Sequence, residues 1–289
     1  MNEIPNEIPK VTFSLIDTGY CTASEHQIMR GGEHKTFKAH ALAVLLEHPT
    51  AGRILFDTGY APRVRLAFKH FPFGLYGALT PITTRLEWSV LAQLDFIGIK
   101  PSTISSVIVS HFHADHIGGL RDFKDSRFIT SRQAFDDVCA ARGFAALRRA
   151  FVPALMPNSS HQFELIDSFT SDPLEPFGAT HDLLGDGSLR LVSLPGHAVG
   201  QVGLFAQTGI GPVLFAADGA WTSEAIRENR PPAPLALRLI GDPSATVRTL
   251  RNLHEFGNSH PEVWIIPTHC PEVAALISRG QPRAFTGRP

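Results

Sequence analysis

The chain has 289 residues, enough for one large α/β domain or two small ones, and its 43% hydrophobic and 18% charged residues describe a globule with a sizeable core. Lys plus Arg number 26 against 27 Asp plus Glu, so no basic footprint for nucleic acid is visible. No apolar run reaches the roughly 18 residues of a membrane span, and the polar, Pro-containing start Met1 to Lys10 has no secretory pattern.

Val11 to Ile16 alternates weakly and ends at Asp17-Thr18-Gly19, which predicts a strand and turn. Residues 21 to 38 are polar and Gly-containing and read as a loop. Ala39 to Leu46 is a continuous apolar strand, Pro49 to Gly52 a turn, and Arg53 to Phe56 the next strand, ending at Asp57-Thr58-Gly59-Tyr60. Residues 61–83 crowd Phe68, Phe71, Phe73, Leu75 and Tyr76 among Pro62, Pro72, Gly74, Gly77 and Pro81, so one long helix is excluded. That segment is either a loop packed on the core or a partner subunit, or an apolar lid with pocket-like composition. Thr84 to Ile97 has helical spacing, with Leu86, Val90, Leu94 and Ile97 on one face and Gly98 and Pro101 as the stop.

The short β-branched strand Ile104 to Val109 then runs into Ser110-His111-Phe112-His113-Ala114-Asp115-His116-Ile117-Gly118-Gly119. Four potential metal ligands lie within six residues of this stretch. An extended chain would project His111, His113 and Asp115 to one side and His116 elsewhere, so one loop can serve two ions. Imidazole nitrogen and carboxylate oxygen suit zinc and other borderline divalent ions. Phe128 to Thr130 reads as a short strand, with Ser131 capping a helix to about residue 141.

Phe163 to Ile166, Leu189 to Leu194, Val202 to Ala206 and Val213 to Ala217 read as strands, with turns at Gly185-Asp186-Gly187 and Thr208 to Pro212. Residues 229–236 read as a surface loop. Pro243 to Phe256 reads as a helix capped by Asp242, burying Val247, Leu250, Leu253 and His254. Val263 to Ile266 is the last strand, before a short helix Glu272 to Ser278 and a frayed tail.

Cys21, Cys139 and Cys270 are odd in number, widely spaced and without a C-x-x-C pair, which fits free thiols in a reducing cytoplasm. Cys270 reads as a packing thiol. The other nine histidines (His26, His34, His40, His48, His70, His161, His181, His254 and His260) read as surface or hydrogen-bonded core residues, not as ligands.

Strand after strand therefore ends in a residue able to bind metal: His111 onward, His197, Asp218 and His269. Asp57 closes another and can support the ligands as a neighbouring carboxylate. At this point the chain resembles the metallo-β-lactamase fold superfamily. The signature is His111-x-His113-x-Asp115-His116, then Gly196-His197, Asp218 and His269, with Asp57-Thr58-Gly59 as the early strand-end motif.

The resemblance implies an αββα sandwich of two mixed β-sheets flanked by helices, over a single domain spanning 1–289, with 61–83 as an aromatic lid or dimerisation insert. It implies two divalent metal ions, zinc first with Mn, Fe or Co as alternatives. His111, His113 and His197 would hold one; Asp115, His116 and His269 the other; Asp218 would bridge them. Gly185-Asp186-Gly187 and Gly196-His197-Ala198-Val199-Gly200-Gln201 are similar to the N-acyl-homoserine lactonase branch. Those lactonases carry a tyrosine a few residues after the bridging aspartate, where this chain has Trp221.

Ions about 3.5–4 Å apart would share a hydroxide that attacks a carbonyl near neutral pH. Asp115 would pass a proton to the leaving alkoxide. The expected activity is opening of a lactone, or cleavage of an ester, of a small, partly apolar substrate. Trp221, Phe68, Phe71, Phe73 and Tyr76 are the expected pocket residues. No nucleic-acid or membrane partner is expected, and a homodimer is compatible with the aromatic segment.

Three other activities on the same fold compete. A glyoxalase II-like thioesterase needs basic residues near the C-terminus, where Arg279 and Arg283 lie. A phosphodiesterase needs phosphate clamps that are not located. A diiron oxygen or nitric-oxide reductase would carry a glutamate where His113 stands. A non-catalytic binding protein that kept the fold is disfavoured by the intact ligand set.

Overall fold

The computed structural model describes residues 7–158, 162–239 and 241–289; His161 and the first six residues of the polar start lie outside the described residues. Seven strands open the larger sheet: β1 (Thr12–Ser24), β2 (Thr36–His48), β3 (Gly52–Phe56), β4 (Ile82–Thr83), β5 (Ile104–Ile108), β6 (Arg127–Ser131) and β7 (Phe163–Ile166). The smaller sheet holds β8 (His181–Asp182), β9 (Leu189–Ser193), β10 (Val202–Thr208), β11 (Gly211–Ala217) and β12 (Trp264–Pro267). A last strand, β13 (Arg283–Ala284), returns to the larger sheet beside β1.

Both sheets are mixed. β1, β2 and β3 pair antiparallel, whereas β3, β5, β6 and β7 run parallel. In the smaller sheet only β11 and β12 are parallel. The continuous apolar runs in the sequence follow from burial on both faces of each sheet. Leu42, Val44 and Leu46 of β2 join Leu204, Ala206 and Phe215 in the layer between the sheets. Ala41, Ala43 and Leu45, one residue out of phase, pack outward beneath Val64, Val90, Leu94 and Val138 of the covering helices. Helix Pro243–Ser259 covers the smaller sheet with Leu250, Leu253 and Phe256 against Leu194 and Leu214. Each fully buried Leu, Ile or Phe in these layers contributes about 1.5–3 kcal/mol. The architecture is the αββα sandwich. Among the described residues no helix is long and apolar enough to cross a membrane.

Several local expectations are corrected. Asp17-Thr18-Gly19 is not a turn: β1 continues to Ser24, and its register against β2 shifts between Asp17 and Tyr20. The expected loop 21–38 is therefore the arm of a long hairpin, with a helical turn Glu25–Ile28 near its tip. The segment 61–83 forms helices Pro62–Ala67 and Phe73–Leu79 and then β4, which pairs with β1. Leu86 and Ile97 are exposed, because the helix proper begins at Val90, capped by Ser89. Part of the expected loop 229–236 belongs to helix Pro234–Leu239. Val247 is exposed and Ala245, Thr246, Thr249 and Phe256 are buried instead, so the packed face of that long helix is rotated from the expected one. The tail is not frayed at 283–284, since β13 pairs with Ser14 and Leu15.

Candidate metal centre

β3 and β5 are parallel neighbours, so Asp57 and Ser110 leave the sheet at the same edge. Asp57 has φ +59, a left-handed conformation rare outside glycine, and is buried. That conformation turns its carboxylate into the following loop. Asp57 Oδ1 accepts from the Ser110 main-chain N–H at 2.8 Å, and Oδ2 accepts from the Ser110 hydroxyl at 2.7 Å. His116 Nδ1–H donates to the same Oδ2 at 2.7 Å. The Ser110 hydroxyl is thereby committed to Asp57, so at 3.0 Å it accepts from His111 Nδ1–H. Both imidazoles are pinned through Nδ1, which leaves each Nε2 with its lone pair directed elsewhere.

The ligand loop is extended only to His113; Ala114–Ile117 is a turn of helix. The simple alternation expected for Asp115 therefore fails, and Asp115 and His116 reach the same space from successive positions of that turn. An added Cβ at Gly118 would meet the Gly59 carbonyl oxygen at 2.5 Å, so the bare backbone is what lets this loop lie against the Asp57 turn.

The smaller sheet supplies the facing side. β9, β11 and β12 end just before His197, Asp218 and His269. Potential ligand atoms of His111, His113 and His197 lie within 4.8 Å of one another; so do those of His111, His116 and Asp218, and those of Asp115, His116 and His269. Asp218 sits among them. Its Oδ2 is 2.8 Å from His269 Nε2 and 3.1 Å from His197 Nε2, and its Oδ1 is 3.3 Å from His116 Nε2. His197 Nε2 and His113 Nδ1 face each other at 2.9 Å, and Asp115 Oδ2 is 3.6 Å from His269 Nε2.

Burial and charge act in opposite senses here. Burial, then neighbouring imidazoles, push His111 and His113 well below the usual histidine range. Burial would do the same to His116, but Asp57, Asp218 and Asp115 hold it well above; His269 is likewise raised, against its burial, by Asp218 and then Asp115. Burial would raise Asp218, but His269, His116 and His197 hold it well below the usual carboxylate range. His111 Nε2, His116 Nε2 and Asp218 Oδ1 are buried without an aligned hydrogen-bond partner. Converging nitrogen and carboxylate donors of this kind fit a borderline divalent cation.

Trp221 stands edge-on to His197 and His269, with ring centroids 5.8 and 6.5 Å away. It lines a small cleft with His197, Asp218, Arg230, Thr246 and Ile28. A larger groove of about 410 Å³ begins at Ile28 and runs past His40 and Thr222. Neither is lined by Phe68, Phe71, Phe73 or Tyr76. Phe71 is 79% exposed and packs edge-on against Phe144. Phe68 and Phe73 are half-buried against the helical layer. Tyr76 packs on Phe68, and its hydroxyl, raised well above its usual pKa by burial and then Asp115, is the part of the segment that approaches the site.

Sequence reasoning missed Ser110, Tyr60 and Cys21. Tyr60, directly after Asp57-Thr58-Gly59, is buried, and burial pushes the Cys21 thiol up to about 12. The signal for His40 was present: a histidine inside the apolar run Ala39 to Leu46. It bonds to Asp17, while His48 Nδ1 accepts from Thr50 and Ala51 N–H and His254 Nδ1–H donates to Ile226 O. The Cys270 thiol faces Ser223, outside the donor cluster.

Comparisons with known proteins bear on the family and the fold. A family model described as the metallo-beta-lactamase superfamily matches residues 39–260. The N-acyl homoserine lactonase AttM of Azorhizobium caulinodans is 26% identical over 246 residues, 83% of this chain and 88% of that protein. Among solved structures, an N-acyl homoserine lactone hydrolase with N-hexanoyl-L-homoserine at its catalytic metal center superposes with TM-score 0.71 at 21% identity, covering 94% of this chain and 98% of the other. AidC, a dizinc quorum-quenching lactonase, superposes with TM-score 0.62 at 16% identity, covering 92% and 89%. At those identities the two superpositions speak for the fold.

Proposed function

This chain belongs to the metallo-beta-lactamase superfamily, and from that premise we propose that it is a metal-dependent hydrolase that opens lactones of the N-acyl-homoserine type. The observation that carries the reading is the Asp218 carboxylate set among His116, His197 and His269 at 2.8–3.3 Å. His111, His113 and His197 would hold one divalent ion, and Asp115, His116 and His269 a second, with Asp218 between them. Zinc suits the set best; Mn, Fe and Co are compatible with it. Bound there, such ions supply Lewis acidity and make water acidic enough to attack a carbonyl near neutral pH.

The chain's own residues do the rest. Asp57, directly and through Ser110, retains the Nδ1 protons of His116 and His111, so the donor atoms face inward. Asp115, partly open beside His269, takes up a proton at Oδ and releases it to the leaving alkoxide. Trp221 forms an apolar wall over His197 and His269, and its indole N–H can orient a substrate carbonyl but exchanges no proton.

The thioesterase alternative loses its anchor: Arg279 is bonded to Asp17 and Arg283 to the Leu276 carbonyl. The unpaired thiols Cys21, Cys139 and Cys270 support a reducing, cytoplasmic setting. Leu66, Phe71, Leu75, Leu79 and Phe144, all exposed, support a homodimer surface. The deciding experiment is metal analysis of the purified protein beside turnover of acyl lactones, aryl esters, thioesters and phosphodiesters. Bound divalent metal with fastest turnover of lactones is expected; phosphodiesters cleaved far faster than any carbonyl ester would overturn the reading.

A further inference from the structure

His269 hangs from a chain of buried polar contacts that the mechanism above does not use. Its Nδ1–H donates to the main-chain carbonyl of His40 at 2.5 Å. The His40 ring, in turn, donates from Nδ1–H to Asp17 Oδ2 at 3.0 Å. Asp17 also accepts from Gly19 N–H at 3.0 Å and from Arg279 Nε–H at 2.9 Å. Asp17 is 1% exposed and His40 7%. The Arg279 guanidinium lies over the rings of Tyr20 and Trp88, at 5.0 and 5.2 Å, which fixes its plane.

The chain matters because of where it ends. The Nδ1–H bond sets both the tautomer and the tilt of the His269 ring, and so the direction of its Nε2 lone pair. The His40 carbonyl sits where the β1–β2 register has just shifted, next to the irregular stretch between Asp17 and Tyr20. The ladder alone holds that carbonyl less firmly than it would in regular sheet. His111 and His116, one from each half of the donor set, both rest on Asp57, whereas the Asp17–His40 chain reaches His269 alone and so bears on one half only.

We propose that Arg279 is a positioning residue for one half of the centre. By anchoring Asp17, and through it His40, it tightens divalent-cation binding at Asp115, His116 and His269 and leaves the His111, His113 and His197 position unchanged. This rests on the two-cation reading above.

The test uses full-length protein stripped with a chelator, titrated with zinc against a chromophoric chelator, with melting of the cation-free protein as a second readout. Arg279→Met and Arg279→Gln are suitable, because the Arg279 side chain is 31% exposed and its loss leaves no cavity in the core. In both variants one of the two stepwise affinities should fall about 10-fold or more, with the other unchanged. In a His116→Ala background, where only one cation remains, Arg279→Met should change nothing further. Two wild-type affinities in the variants would overturn the role, as would an equal fall in both affinities tracking a lower melting temperature. Wild-type protein that takes up no zinc would instead sink the metal-centre reading itself.

Discussion

Asp218 is held ionised by three imidazoles that would otherwise crowd one another, so charge and ligand geometry are inseparable at this residue. Asp218→Asn keeps the volume and removes the charge; zinc content and lactone turnover should fall together, the affinity by about 10–100-fold by analogy with support residues and more if it bridges. A variant with full metal content and full turnover contradicts the bridging role. Asp17 offers a test by pH. Burial would raise its pKa, but His40 and Arg279 lower it, so the folded form holds the ionised carboxylate more tightly than the unfolded chain does. Its contribution is present above the unfolded value of about 3.9 and is lost as pH falls through the lower folded value. Acid unfolding of the wild type should therefore steepen below about pH 4 relative to Asp17→Asn. At this scale the sequence was most legible where a ligand-type residue followed an apolar strand, as at His197, Asp218 and His269. It was least legible where a polar residue acts through another, as Ser110 does for His111.

The elements explain both kinds of result. Strands buried on both faces appear as unbroken apolar runs, so β2, β5 and β11 were readable. The far half of β1 carries half-exposed, polar residues, and its pairing with Thr36–His40 had no periodic signature. The ligand loop was misread for another reason: strand alternation was extended past His113, where the chain turns helical. Helix Pro243–Ser259 packs its start against the turn before His197. Gly196 has φ +131, and a Cβ there would meet Thr246 N at 2.2 Å. Gly196→Ala should destabilise by at least about 1–3 kcal/mol and displace His197, which thermal melting and metal content would read together. The aromatic segment makes the opposite case. Phe71→Ala should leave dependence on acyl-chain length unchanged, since its ring faces solvent and Phe144. A changed chain-length profile would restore the lid reading for that residue.

For the whole molecule, four of the seven donors, His111, His113, Asp115 and His116, follow one sheet, and His197, Asp218 and His269 follow the other. Cations at 100 times their dissociation constant stabilise the folded chain by about 2.7 kcal/mol per site. Chelation should accordingly lower the melting temperature by several degrees, and unchanged melting after complete removal would refute tight binding at this edge. The overall sandwich was legible through the family resemblance that the ligand signature carries; the ligands' spacing along the chain by itself required only that the strand ends meet. The division of labour between the sheets was not, because their separation depends on side-chain packing in the middle layer. That division makes the centre a vernier for the seam between the layers. Any substitution that slides one layer past the other by a fraction of an ångström should register as slack cation uptake while the protein still melts as a folded body.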